Sequence, residues 1–461
     1  MGLKRFDFIF VFLTSFFVYN ITTRLMSGGD EKPMALLPIL ILKYHTVFFD
    51  AIYSGGQGWF GVVDVGGHIV SAYPLVTPIL LIPFYIVFLS FNPVLDITMI
   101  ATLGKFSAAI LTSFSVLFFF LTIKKLIGWK YAVITTVAFA FGTLVWSVCS
   151  QVLLGHTTSL LLLTLLLFVI FRNEEYPDKK NFWTIGILST LFFFNRPSDL
   201  FLLIPILYYT WLNRRYFIDI AIPFILISIP FVLYNFIIFG GFFGGYQPII
   251  THQFVHGDAF LINNNGILPL LISPSRGLFV FCPILLVALP GIWYLWKQRL
   301  FFLLLFIPAL ILCIATYGLF AWWDGTGGYG PRYLAPCILY LGVYMGYGIR
   351  HLWDNHKGWI VALLSGSILI NLSGALGYSW SVWDVGSRNV WSFTNWEISE
   401  CFFAMLNNIS SNFKILVFPV IPNGVIYPDN IIPGMCILIG VYTIIGIILI
   451  PLIHIINKGD E

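Results

Sequence analysis

Tyr73-Pro74-Leu75-Val76-Thr77-Pro78-Ile79-Leu80-Leu81-Ile82-Pro83-Phe84-Tyr85-Ile86-Val87-Phe88-Leu89-Ser90-Phe91 is the stretch on which the threading of this chain turns. Nineteen residues of that character suffice to cross a bilayer, but Pro74, Pro78 and Pro83 interrupt the helix that would do so. The basic residues choose between two placements. If residues 73–91 cross, then Lys124, Lys125 and Lys130, Arg172, Lys179 and Lys180, Arg214 and Arg215, Lys297 and Arg299, and Arg350 and Lys357 all fall outside, against the cytosolic excess of Lys and Arg in membrane proteins. If the stretch lies along the outer interface as a juxtamembrane helix, every one of them falls inside. The second placement is the prediction.

Outward from that stretch, everything is membrane. With 59% hydrophobic and 10% charged residues, and apolar runs of span length recurring throughout, no water-soluble domain of ordinary size fits. The fold class predicted is an all-α polytopic membrane protein of about 12 transmembrane helices, near 6–25, 98–123, 131–148, 157–171, 182–194, 199–212, 215–238, 277–296, 300–320, 333–349, 358–379 and 434–456. Both termini are then cytosolic. Lys4 and Arg5 before residues 6–25 imitate a secretory signal, but the run is long and has no small-residue cleavage site, so an uncleaved first helix is predicted.

The chain thus divides into a transmembrane module at 1–379, with outer loop 26–97 carrying the juxtamembrane helix, an outer segment 380–432, and a last helix with its tail at 433–461. The net charge of +4 is dealt out in short clusters between apolar runs and so says nothing about nucleic acid, and no nucleic-acid partner is predicted. Six scattered cysteines form neither a metal motif nor a disulfide framework. Nucleotide-binding, zinc-protease and nucleophile-elbow motifs are absent from the sequence.

The polar motifs gather on the outer face. Asp30-Glu31 follows Ser27-Gly28-Gly29 and precedes Lys32-Pro33 just beyond the first helix, where a carboxylate serves either as a helix N-cap or as a general base for an acceptor hydroxyl. Lys43, Asp50, Asp64, His68 and Tyr73 share that loop. Arg196, in Asn195-Arg196-Pro197-Ser198-Asp199, pairs locally with Asp199 or binds an anion; Arg276 and Arg332, at outer starts of spans, snorkel or bind one. Three arginines at one depth, each framed by Gly or Pro, favour an anion pocket. His68 and His156 are either phosphate ligands or interface residues. Lys105 is the one basic residue placed within a span.

These features together resemble the GT-C glycosyltransferases, which include the protein O-mannosyltransferases and the lipid A aminoarabinose transferases. The matches are Gly29-Asp30-Glu31 with Leu37-Pro38-Ile39-Leu40, Ser71-Ala72-Tyr73-Pro74, Gly142-Thr143-Leu144-Val145-Trp146-Ser147 with His156, Arg196-Pro197-Ser198, Ser275-Arg276-Gly277-Leu278, and Tyr329-Gly330-Pro331-Arg332-Tyr333. They cover residues 1 to about 350, and nothing beyond about 380 matches. The resemblance implies a GT-C-like bundle in the plasma or inner membrane, with its site on the extracytoplasmic face. It implies transfer of a sugar from a polyprenyl phosphate or diphosphate to a lipid, glycan or protein hydroxyl by inverting displacement. Asp30 would be the catalytic base with Glu31 beside it. Arg196, Arg276 and Arg332, with Lys43 and His156, would hold the donor phosphate, and His68, Tyr73 and Tyr329 would line the donor or acceptor pocket. No cofactor is predicted; a divalent metal, used by some of the superfamily, finds no further ligands beside Asp30 and Glu31. The rival readings are an O-antigen ligase or polymerase, which would not need an acidic base in the first loop, and a multi-span transporter, which would need polar groups near the midplane.

Overall fold

A bilayer core offers the backbone no hydrogen-bond partners, so apolar runs of this kind satisfy their own amides as helices. The computed structural model describes residues 5–21, 30–52, 61–90, 97–245, 266–320, 323–325, 327–378, 390–394 and 396–407. Its principal helices are α1 (Arg5–Tyr19), α2 (Glu31–Ile39), α3 (Val76–Leu89), α4 (Ile97–Ile127), α5 (Trp129–Phe141), α6 (Gly155–Glu175), α7 (Lys179–Asn195), α8 (Ile204–Leu212), α9 (Phe217–Phe239), α10 (Ala288–Lys297), α11 (Phe306–Gly318), α12 (Ile338–Gly377) and α13 (Glu397–Asn407).

Five stretches among the described residues are long and apolar enough to cross a membrane: Met99–Ile127, Gly155–Glu175, Arg214–Phe239, Phe301–Gly318 and Arg332–Gly377. Ile9–Tyr19, Val76–Leu89, Trp129–Phe141 and Pro283–Lys297 are shorter apolar helices. The span expected at 434–456 lies outside the described residues. The run expected at 199–212 is divided, because Pro197 starts a 3-10 turn through Leu203 and Pro205 sits in the first turn of the nine-residue α8.

Helix α12 spans 40 residues but has non-helical backbone at His356. Ile284 N donates to Ser367 Oγ at 2.8 Å, while a Cβ on Gly348 would meet Val287 O at 2.0 Å. A straight helix would hold Gly348 and Ser367 about 28 Å apart. The two arms therefore fold back on each other at His356.

Helix α4 is the buried centre, packed by α1, α2, α5 and α6. Its Lys105 is fully buried, and its ammonium donates to Tyr19 O at 2.8 Å, to Ser150 O at 3.2 Å and to Gln151 Oε1. A cation in an apolar interior needs such oxygens. Here they tie the end of α1 to the turn before α6. Helix α9 is the opposite case: Ile218, Ile225, Leu233 and Ile237 are all exposed, the composition of a lipid-facing surface.

The loop between α2 and α3 adds a small sheet to a mostly helical chain. Val62–Val65 (β1) and His68–Ser71 (β2) form a two-stranded antiparallel sheet, with Val63 opposite Val70. Gly66 and Gly67 turn the chain at φ of 62° and 86°, a conformation that side chains resist, and Asp64 Oδ1 accepts from Gly67 N at 3.0 Å. After the hairpin, Thr77 at the start of α3 donates to Asn195 Oδ1 at 2.9 Å and lies 2.8 Å from Thr158 Oγ1. This pins the loop over the junction of α6 and α7, and α3 itself has 14 residues, about 21 Å, short of a hydrocarbon core.

Candidate functional site

Charge sorts the two ends of the bundle. At the far end of α6 and α7, Lys125 meets Glu175 at 2.7 Å and Lys179 meets Asp219 at 3.1 Å. Asp30, His156, Arg196 and Arg332 lie at the near end, where α2 and α6 begin and α7 stops.

Asp30 makes no capping hydrogen bond to α2. Its Oδ1 accepts from the Tyr73 hydroxyl at 2.7 Å, and its Oδ2 meets Arg332 Nη1 at 3.1 Å. The carboxylate is 19% exposed and the arginine side chain 10%, so the pair sits at the boundary of the interior. Each carboxylate oxygen has a second lone pair left for another donor. Two glycines shape the arginine's path. A Cβ on Gly328 would lie 2.3 Å from Arg332 Cδ, and one on Gly325 would lie 3.0 Å from its Cγ. Arg332 Nε has no hydrogen-bond partner among the described residues.

Arg196 follows α7, where Pro197 forces the preceding backbone into an extended conformation (φ −151°, ψ 95°). Its Nη1 donates to His156 Nε2 at 3.2 Å and its Nη2 to the Tyr317 hydroxyl at 2.8 Å, while Nε lies 3.3 Å from Asp199 Oδ2. Tyr317 in turn donates to Asp199 Oδ1 at 2.5 Å. Tyr333 stacks on Tyr317 with ring centroids 5.1 Å apart, and its ring lies 5.9 Å from the Arg196 guanidinium and 5.4 Å from that of Arg332. Tyr333 thus bridges the two arginines.

Asp30, Tyr73, Thr77, His156, Asn195 and Arg196 line one cleft. Tyr73 and Pro74 also border a second, aromatic groove of about 430 Å³ formed with Phe193, Phe194, Phe231 and Phe242. The two spaces meet at the Tyr73-Pro74 step.

The remaining candidates lie elsewhere. Glu31 is buried, and its carboxylate fills the space above Gly104 of α4, facing away from the cleft. Arg276 is buried against Glu397 of α13, which spends its charge there, and its backbone amide donates to Ser273 Oγ at 3.0 Å. Tyr329 is buried beneath Gly374 of α12 and donates to Ile370 O at 2.7 Å; burial pushes its phenol well above the ordinary pKa. Lys43 is exposed, its ammonium 5.8 Å from the Tyr44 ring. His68 is exposed on the hairpin, 3.0 Å from Asp50 and stacked on Phe48. Of the three arginines expected around one anion, two gather by Asp30 and the third pairs with an acid from α13.

Sequence reasoning missed Tyr317, Tyr333 and Glu397 as members of these networks. Tyr333 was within reach, since it adjoins Arg332 in a stretch already singled out. The others come from segments with no local motif.

No family model matches the sequence, and no curated protein is significantly similar to it. Among solved structures, ArnT from Cupriavidus metallidurans bound to undecaprenyl phosphate superposes with a TM-score of 0.53 at 13% identity, over 91% of this chain and 76% of that one. The apo state of the same protein gives 0.51 at 13% identity over the same shares. ArnT is a lipid A aminoarabinose transferase of the GT-C type. The chain therefore has the fold to which its short motifs pointed.

Proposed function

We propose that this chain is an integral-membrane glycosyltransferase. It moves a sugar from a polyprenyl phosphate or diphosphate to an acceptor hydroxyl on the extracytoplasmic face of the plasma or inner membrane. The observation that carries this reading is the Asp30–Arg332 pair, 3.1 Å apart, with Asp30 lining the cleft that Arg196 and His156 share. The ArnT-like fold supports it, and so does undecaprenyl phosphate as the lipid bound by that neighbour.

In the proposed reaction Asp30 takes the proton of the acceptor hydroxyl, whose oxygen attacks the anomeric carbon. The bond from that carbon to the phosphate oxygen breaks, and its electron pair leaves on the phosphate with inversion. Asp30 is oriented for this by Tyr73 and Arg332, with lone pairs to spare. Arg332 and Arg196 then face negative charge that grows on the leaving phosphate, so they stabilise the transition state more than the ground state. The first isoprene units would lie in the groove of Phe193, Phe194, Phe231 and Phe242, next to the cleft. The scheme is written without a metal; among the described residues no three His, Cys, Asp or Glu side chains converge.

The test is transfer from a radiolabelled polyprenyl-phosphate sugar by the full chain in proteoliposomes, comparing wild type with Asp30→Asn. Removal of the base is expected to lower turnover by at least about 100-fold. Full turnover in the variant would instead indicate a ligase that needs no acidic base.

A further inference from the structure

The hydrogen bonds around Arg196 have only one consistent direction. A guanidinium can only donate, so the nitrogen facing it at 3.2 Å, His156 Nε2, must accept and carries no proton. The ring's proton is then on Nδ1. The direction is enforced from the other side as well. The Tyr317 hydroxyl gives its proton to Asp199 Oδ1 at 2.5 Å and receives one from Arg196 Nη2 at 2.8 Å, and Ser198 Oγ lies 3.0 Å from the same hydroxyl. Asp199 is fully buried and holds Arg196 Nε at 3.3 Å, which leaves Nη1 aimed at the histidine. Cβ-free Gly155 accommodates the arginine stem, since a Cβ there would lie 3.2 Å from Cδ.

His156 itself is 98% buried and lines the cleft beside Asp30, yet its Nδ1 has no hydrogen-bond partner among the described residues. A buried N–H without an acceptor is costly, and native interiors pair such a group with protein, water or a ligand.

We infer that Asp199, Tyr317 and Arg196 form a positioning relay that fixes His156 as the Nδ1–H tautomer, and that this neutral ring donates its proton to a phosphate oxygen of the bound substrate. Asp199 and Tyr317 touch no substrate; they act through Arg196. The ligand half of the inference rests on the proposed lipid-phosphate donor, and the tautomer half does not.

The experiment is 15N NMR of the full-length protein in detergent micelles with labelled histidine, the His156 signals being assigned by their loss in His156→Gln. Nε2 is expected at the position of an unprotonated imidazole nitrogen and Nδ1 at that of a protonated one. A protonated Nε2 overturns the inference, and so does unchanged tautomer purity in Tyr317→Phe, which removes the hydroxyl and keeps the ring. Adding decaprenyl phosphate is expected to move the Nδ1 resonance. A matching shift with inorganic phosphate assigns the contact to phosphate alone, and a shift with the lipid only assigns it to the lipid headgroup; no shift with either overturns the ligand half. In binding of decaprenyl phosphate, His156→Asn, whose amide nitrogen stands near Nδ1, should lose less than about threefold, and His156→Gln, which places nothing there, at least about tenfold. The reverse order would sink the proposal. None of these readouts needs turnover, so a chain that transfers no sugar fails the transferase reading and leaves the tautomer half standing, with the ligand half decided by the decaprenyl phosphate titration.

Discussion

Arg332 and Asp30, 302 positions apart in the chain, meet at 3.1 Å, and each lies against a tyrosine, Tyr333 and Tyr73 respectively. One carboxylate thereby links the segment that begins α2 to the 3-10 turn Arg332–Cys337 that leads into α12.

If the pair acts as a unit in catalysis, its two members are not independent. Arg332→Lys keeps the charge but loses the planar fork and is expected to lower transfer on the order of 100-fold. Combined with Asp30→Asn, the loss should fall well short of the product of the single effects. Transfer rates of the four proteins of this cycle are the check.

The glycine cradles predict a graded effect. Gly328→Ala would place a methyl 2.3 Å from Arg332 Cδ, and Gly155→Ala would place one 3.2 Å from Arg196 Cδ. The first must displace its arginine and the second requires only a small shift. Transfer should therefore fall at least about tenfold in Gly328→Ala and about threefold or less in Gly155→Ala, with little change in melting temperature for either.

Arg276 and Glu397 are expected to matter for stability rather than for transfer. Arg276→Met strands a buried carboxylate and should cost about 3–5 kcal/mol, whereas Arg276→Met with Glu397→Met should regain most of it. A thermal melt reads the first effect. If Arg276 held the donor phosphate instead, the double variant would be stable and inactive; it is expected to be active.

The Asp50 carboxyl is held below the usual range first by the Ile69 backbone N–H, with burial opposing and the His68 contact assisting. A depressed folded pKa adds stability above the unfolded carboxylate value and loses it as pH falls through the folded one. The β1–β2 hairpin should therefore stay docked at neutral pH and loosen in acid, as amide exchange of residues 61–71 would report. Asp50→Asn should exchange faster at neutral pH and respond less to acid.

Much of this was legible in the chain. Lysine and arginine placement put Asp30, His156, Arg196 and Arg332 at one end, because the charge rule is global and needs no contacts. The local pair of Arg196 with Asp199 could be read from their spacing. The Gly66-Gly67 step between Val62–Val65 and His68–Ser71 was a hairpin sign that an all-helical reading passed over. What could not be read were partners brought together only by packing. Tyr317 reaches Arg196 across 121 positions, and Glu397 reaches Arg276 across another 121 from a segment without a recognisable motif. Glu31 adjoins Asp30 in sequence but turns to α4, since neighbours at the start of a helix point along different faces.

The reversal of α12 at His356 leaves Asp354, Asn355, His356 and Lys357 exposed at the end of the bundle remote from the cleft. An affinity handle inserted there would tether the protein to a sensor chip with its cleft unobstructed, turned toward whatever lipid or glycan is washed across it.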